Sequence, residues 1–280
     1  MPTAGDPRPI GVFDSGVGGL TVLAELNQRL PAESSVYLGD NARAPYGPRT
    51  ADEVRRFTVE AVDWLLGQDV KLLVLACNTA TARALPLVRE RSAVPVLGVV
   101  RPGAVAAAAA TRSRRVGVIA TAGTVESGAY PAAIVEADPA TRVTQLACPE
   151  LVPMVEAGIV DGRRAESVLR AYLEPLIANE SGMDTLLLGC THYPLLRGPI
   201  ERIVGDGVAV VDSALTTALA TEDLLDALGA RAPDGSTASH RAATTGSVEA
   251  FVGVARRLFG DRLPAVESVE IEPVVALPVD

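Results

Sequence analysis

The chain has 280 residues, 48% hydrophobic and 21% charged, which is enough apolar material for a sizeable core and argues against a disordered chain. Its 34 acidic residues outnumber 25 basic ones, and a net charge of −9 argues against a nucleic-acid or anionic-membrane surface as the main function. Taken along the chain, Ile10–Phe13 predicts a first buried strand, opening into the small-residue turn Gly16-Val-Gly-Gly19. That turn lacks the dinucleotide fingerprint and the lysine of a nucleotide loop. Val36–Leu38 predicts a second strand. Thr50-Ala-Asp-Glu53 reads as a capping box ahead of Val54, Phe57, Ala61, Val62 and Leu65, which are spaced for one helix face. Strands at Val70–Leu75 and Val94–Leu97 follow. Val100-Arg-Pro-Gly103, punctuated by Pro and Gly, predicts a crossing between two halves, and Ala106–Ala110 is ordinary helix. Val116–Ile119 and Arg142–Leu146 are the next strands. Asp161 is placed to cap a helix with Leu169, Tyr172, Leu173 and Leu176 on its core side. Thr185–Leu188 and Val208–Val211 complete the series. Apolar strands alternating with helices predict an α/β fold with mostly parallel sheets.

An internal repeat organises these elements. Ile10-Gly-Val-Phe-Asp-Ser-Gly16 is matched by Val116-Gly-Val-Ile-Ala-Thr-Ala122, and Leu72-Leu-Val-Leu-Ala-Cys-Asn-Thr79 by Thr185-Leu-Leu-Leu-Gly-Cys-Thr-His192. We therefore expect two pseudo-symmetric α/β domains with the active site between them: residues 1–100 with 211–280, and residues 101–210. Residues 1–9 have no charged stretch followed by an apolar one, and Arg101 and Pro102 interrupt the run Val94–Ala110. Neither a secretory signal nor a membrane span is expected, and three cysteines suit a reducing cytoplasm.

Two counts narrow the chemistry. The single lysine, Lys71, heads an apolar strand, where a Schiff base to pyridoxal phosphate is not expected. No Cys-x-x-Cys or His-Glu-x-x-His occurs, so no metal site is expected. Cys77 and Cys190 each follow an apolar strand and open a polar loop, at the strand ends where α/β sheets bind ligands. A buried cysteine is ordinarily a small hydrophobe, and Cys148 is read that way. A matched pair, one from each half, suits proton transfer at a carbon beside a carboxylate, one thiolate removing a proton and the other thiol returning one to the opposite face. A thiol's ordinary pKa of about 8.5 lets neighbours set its charge. Asp14 is placed to assist one thiol and His192 the other, while Ser15, Asn78, Thr79 and Thr191 are of the type that holds carboxylates. Asp14 could also cap the helix beginning near Gly18. His240 has no motif around it.

Four segments then carry a resemblance: Ile10-Gly-Val-Phe-Asp-Ser-Gly-Val-Gly-Gly-Leu-Thr-Val-Leu23, Tyr37-Leu-Gly-Asp-Asn-Ala-Arg-Ala-Pro-Tyr-Gly47, Ala76-Cys-Asn-Thr-Ala-Thr81 and Leu188-Gly-Cys-Thr-His-Tyr-Pro-Leu195. In this order they resemble the signature segments of glutamate racemase, in the aspartate/glutamate racemase superfamily. The resemblance implies a two-domain, cofactor-independent enzyme that interconverts L- and D-glutamate for peptidoglycan, cytoplasmic and homodimeric. It implies that Cys77 takes the proton from D-glutamate and Cys190 from L-glutamate, with Asp14, His192 and Glu156 assisting. It further implies that Asp14, Ser15, Tyr46, Gly47, Asn78, Thr79, Thr121, Thr124, Thr191 and His192 hold the substrate. Asp40 reads as ordering the Tyr46 loop rather than transferring protons. An aspartate or hydantoin racemase, and a binding or regulatory protein on the same fold, are the alternatives.

Overall fold

The structure is a computed structural model that describes residues 5–260 and 263–274. Residues 1–4 and 275–280, which open and close the first expected domain and include the start of the stretch read for a signal, lie outside the described residues. In chain order the elements are β1 (Ile10–Asp14), α1 (Leu20–Arg29), β2 (Ser35–Gly39), α2 (Ala51–Leu66), β3 (Leu72–Leu75), α3 (Asn78–Arg91), β4 (Val96–Gly98), α4 (Val100–Ala110), β5 (Arg115–Ala120), α5 (Ala122–Ser127), α6 (Ala129–Ala137) and β6 (Arg142–Ala147). They continue with α7 (Leu151–Glu156), α8 (Gly162–Asn179), β7 (Thr185–Gly189), α9 (Arg197–Val204), β8 (Ala209–Asp212), α10 (Ser213–Leu228), β9 (His240–Thr244), α11 (Val248–Phe259) and β10 (Val266–Ser268).

The strands form two wholly parallel sheets. The first runs β10-β9-β2-β1-β3-β4 and the second β6-β5-β7-β8. The four strands β2-β1-β3-β4 and the four strands β6-β5-β7-β8 thus follow the same order, and β3 and β7 are equivalent. Helices cover both faces of each sheet, which is why β1, β2, β3 and β7 are buried throughout and read as continuous apolar runs. On the first sheet, α1, α10 and α11 pack on one face and α2 and α3 on the other. On the second, α7, α8 and α9 oppose α4 and α6. Helix α10 packs on α1 and also on α4, so it touches helices of both sheets.

Local chemistry accounts for most of these elements. Thr50 and Glu53 form the expected capping box, and Val54, Phe57, Ala61, Val62 and Leu65 are buried. Asp161 accepts from the Gly162 amide at the start of α8. Three details differ from expectation. Val100–Gly103 is the first turn of α4 rather than a loop, since a proline in a first turn loses no intrahelical hydrogen bond. Tyr172 is only partly buried because its hydroxyl reaches Glu150 at 3.0 Å, and Ala165 takes the inward place. Asp14 does not occupy the N-cap position of α1, which is Gly19, although its carboxylate accepts from the Gly19 amide.

Two strands beyond Val211 extend the first sheet. His240–Thr244 pairs with β2, and His240 Nδ1 lies 2.8 Å from Ser35 Oγ. Lys71, just ahead of β3, is buried. Its Nζ lies 2.6 Å from Glu33 Oε2 and donates to the Asp6 carbonyl at 2.7 Å, while Glu33 Oε1 accepts from the Ala232 amide at 2.7 Å. One buried ion pair therefore ties together the start of the described chain, the β1–β2 connection and the segment after α10.

Candidate active site

The carboxyl ends of β1, β3, β5 and β7 converge on a cavity of about 220 Å³. Ser15, Tyr46, Gly47, Cys77, Asn78, Thr79, Thr121, Glu156, Cys190, Thr191 and His192 all line it. Of the residues expected from sequence, Asp14 and Thr124 do not. Each sits one hydrogen bond behind the wall. Thr191 Oγ1 donates to Asp14 Oδ1 at 3.4 Å, and Thr124 Oγ1 lies 3.2 Å from Thr79 Oγ1 and 3.0 Å from Thr121 Oγ1.

Cys77 sits at the N-cap of α3 because β3 ends two residues earlier. Its sulfur accepts from the Ala80 amide at 3.4 Å and donates to Ser15 Oγ at 3.5 Å. A helix N-terminus favours a thiolate, but burial, reinforced by the nearby Asp14 carboxylate, pushes this thiol up to about 12. At neutral pH this environment favours the neutral thiol at Cys77. Asp14 is fully buried at the end of β1, and burial raises its pKa. The charge of His192 and the amides of Gly16 and Gly19 oppose that, with Gly16 N donating at 2.8 Å.

Cys190 immediately follows β7. Its sulfur lies 3.8 Å from His192 Nδ1, and His192 Nε2 lies 3.1 Å from Glu156 Oε1 at the end of α7. Burial disfavours a charged imidazole, yet the hydrogen bonds to Cys190 and Glu156, with the charges of Cys190 and Asp14, outweigh it and raise His192 to about 10. A protonated His192 gives one N–H to the sulfur and the other to the carboxylate, so thiol, imidazolium and carboxylate form a line of proton partners.

The two halves of this arrangement touch directly. A Cβ on Gly18, in the turn after β1, would collide with Thr191 Oγ1 and the His192 ring. The Thr21 hydroxyl also donates to the Thr191 carbonyl at 2.9 Å. Gly18 has no room for a side chain because another loop occupies the space. Across the cavity, Gly123 N donates to the Gly47 carbonyl at 2.9 Å, and Thr79, Thr121 and Thr124 bring three hydroxyls together. The Tyr46 hydroxyl donates to Asp40, which Arg43 and the Thr245 hydroxyl also hold, so Asp40 does order this loop.

Some wall residues were not legible in sequence. Cys148, Pro149, Val152 and Pro153 line the cavity beside Glu156. Cys148 is fully buried, and burial, then the Cys190 charge, pushes its thiol up to about 12. The only sequence signal was the run of cysteine and prolines just ahead of Glu156. Among the described residues no group of three His, Cys, Asp or Glu side chains is placed to hold a metal ion, and no helix is long and apolar enough to cross a membrane.

The Asp/Glu/Hydantoin racemase family matches residues 10–221. A protein named glutamate racemase from Oceanobacillus iheyensis is 48% identical over 252 residues, covering 90% of this chain and 92% of its own. A glutamate racemase structure from Bacillus anthracis superposes with a TM-score of 0.89 at 42% identity, over 94% of this chain and 97% of that one. A Francisella tularensis glutamate racemase solved with D-glutamate gives a TM-score of 0.87 at 33% identity, over 95% and 98%. The chain belongs to the Asp/Glu/Hydantoin racemase family.

Proposed function

We propose that this protein interconverts L- and D-glutamate without a cofactor, supplying D-glutamate for peptidoglycan. The observation that carries the reading is a pair of thiols, Cys77 and Cys190, that follow equivalent strands of two like-ordered sheets and line one cavity. The relatives named glutamate racemase, at high identity over nearly the whole chain, support glutamate as the substrate.

In this reading the Cys77 thiolate removes the α-proton of D-glutamate while the Cys190 thiol delivers one to the opposite face, and L-glutamate reverses the roles. An α-proton beside a carboxylate is weakly acidic, so the cavity must stabilise developing charge with fixed dipoles and little water. The substrate's ammonium, placed near Cys77 and Asp14, would favour the charged thiolate that burial disfavours. His192 and Glu156 serve Cys190, and Asp14 serves Cys77. Ser15, Gly47, Asn78, Thr79, Thr121 and Thr191 hold carboxylates and ammonium, with Thr124 setting the hydroxyls of Thr79 and Thr121. Tyr46 contributes its ring and backbone, since its hydroxyl is committed to Asp40. Residues 1–100 with 211–280 and residues 101–210 serve as the two domains, a division that the two sheets support except at β8, whose Val211 and Asp212 pair with β7 and so go with the second. The protein acts in the cytoplasm as a homodimer. The half-exposed Val105, Leu215 and Leu219, on the adjoining helices α4 and α10, support self-association, and sedimentation measures it.

The test is to incubate the protein with L-glutamate in heavy water without added cofactor and follow optical rotation and α-carbon deuteration together. Inversion with deuterium entering the D product is expected, with L-aspartate in parallel left unchanged. Glutamate binding without exchange would overturn the reading. Cys77→Ala and Cys190→Ala should each lower racemisation by about 10²–10⁴-fold while glutamate affinity changes little, as calorimetry would show. Turnover at the wild-type rate in either variant defeats the two-thiol mechanism.

A further inference from the structure

Glu156 meets His192 from the last position of α7, and little within α7 itself fixes it there. The helix has six residues, one of them Pro153, and no side-chain cap at its start. Helices this short hold little structure of their own in water. The Glu156 side chain is 39% exposed, so burial does not hold it either. The carboxylate is set by where its own backbone stands.

That backbone is fixed at its outgoing end. After α7 the chain turns through Gly158 at φ 79°, in the left-handed region that favours glycine. Ala157 N donates to the Pro153 carbonyl at 3.0 Å, Ile159 N to that of Met154 at 3.0 Å and Gly158 N to that of Val155 at 2.7 Å. These bonds use three of the last four helix carbonyls and leave that of Glu156. Arg257, in the last turn of α11, supplies the missing donor: its Nη1 donates to the Glu156 carbonyl at 2.8 Å. Its stem lies against Gly158, where a Cβ would come within 2.6 Å of the arginine Cδ. Among the described residues Arg257 makes no ion pair, so the carbonyl is the partner its charge has. A cation is also favoured at a helix C-terminus.

The helix that carries Arg257 is rooted elsewhere. Phe251 and Ala255 of α11 are buried in the core beside the first sheet. Leu258 packs against that core and against the core that holds α7 on the second sheet. A side chain anchored on one sheet thus closes the end of a helix that belongs to the other.

We infer that Arg257 is a positioning residue: by closing the end of α7 it keeps the Glu156 carboxylate on His192, so that a helix of the first sheet serves the thiol of the second. This rests on the reading that Glu156 and His192 serve Cys190. The chain has two histidines, His192 and His240. An NMR titration of the imidazoles therefore follows the first with the second as internal control. His192 faces Glu156 from α7, Cys190 from the end of β7 and Asp14 from the end of β1. Arg257→Met keeps the apolar stem and removes the donor, Arg257→Lys keeps a donor, and Glu156→Gln removes the carboxylate. In Arg257→Met the His192 pKa should fall by at least about half a unit, toward its value in Glu156→Gln, with kcat lowered about three- to tenfold and KM within about twofold. Arg257→Lys should recover at least about half of both changes, since an ammonium also donates to a terminal carbonyl. An unchanged His192 titration in Arg257→Met overturns the inference whatever kcat does. An equal fall in Arg257→Lys, or a matching shift of His240, overturns it too, because the effect would then not come through the hydrogen bond to α7. If His192 responds as expected but the wild type does not racemise glutamate, the positioning role stands and the proposed reaction falls.

Discussion

His192 is the residue whose ionisation links the site to stability. Its pKa in the folded protein, about 10, lies above the ordinary 6.5. A raised basic group stabilises the fold fully below pH 6.5 and loses that contribution as pH climbs through 10. The expected effect is a few kcal/mol, less than the shift alone implies because Glu156 is partly open to water. Urea midpoints at pH 6.5 and pH 10 should separate more for the wild type than for His192→Gln, and equal separations would show that the imidazole is not held protonated. Most residue types at this site were legible because they stand beside a thiol or a strand end in sequence, whereas Tyr46, Gly47 and Glu156 were legible only through the resemblance. The pairings were not: that His192 faces Glu156, or that Asn78 meets Tyr130, depends on segments far apart in the chain whose approach no local pattern encodes.

Elements with local signals were read from sequence, and those without were missed. Helix α2 announces itself through Thr50, Glu53 and a 3.6-residue apolar spacing. Thr50→Ala should cost about 1 kcal/mol and lower Tm by about 2–4 °C without changing turnover, measured by thermal melts beside a racemisation assay. A drop in turnover would mean that α2 bears on the Tyr46 loop that follows β2. Strand β9, His240-Arg-Ala-Ala-Thr244, escaped notice because it is short, alanine-rich and without β-branched alternation. It is a strand because β2 and β10 flank it, a tertiary fact. Pro102 misled in the opposite direction: a proline that usually ends regular structure here begins it.

At the scale of the whole molecule, the matched strand order places one thiol at the same point of each sheet and sets the two against a common cavity. The repeat of Cys-Asn-Thr and Cys-Thr-His made this much legible. How closely the halves approach was not, although Gly18 marks it. Gly18→Ala introduces a methyl group where Thr191 and His192 already sit. Overpacking costs about 1–3 kcal/mol, so the unfolding midpoint should fall, and because the displaced groups are His192 and its neighbour, turnover of the folded variant should fall by at least about tenfold as well. Wild-type turnover in Gly18→Ala would mean that the two loops stand apart in the working enzyme.

The single lysine has a consequence of a different kind. With Lys71 sealed against Glu33 and the Asp6 carbonyl, the folded surface offers no side-chain amine. Acylating reagents, amine-directed cross-linkers and protein tags attached through lysine have nothing to react with along these side chains until that seal opens. The amine emerges when the segments carrying Asp6 and Glu33 lift away, so the rate at which Lys71 becomes acylated in native buffer reads how often this edge of the first domain opens.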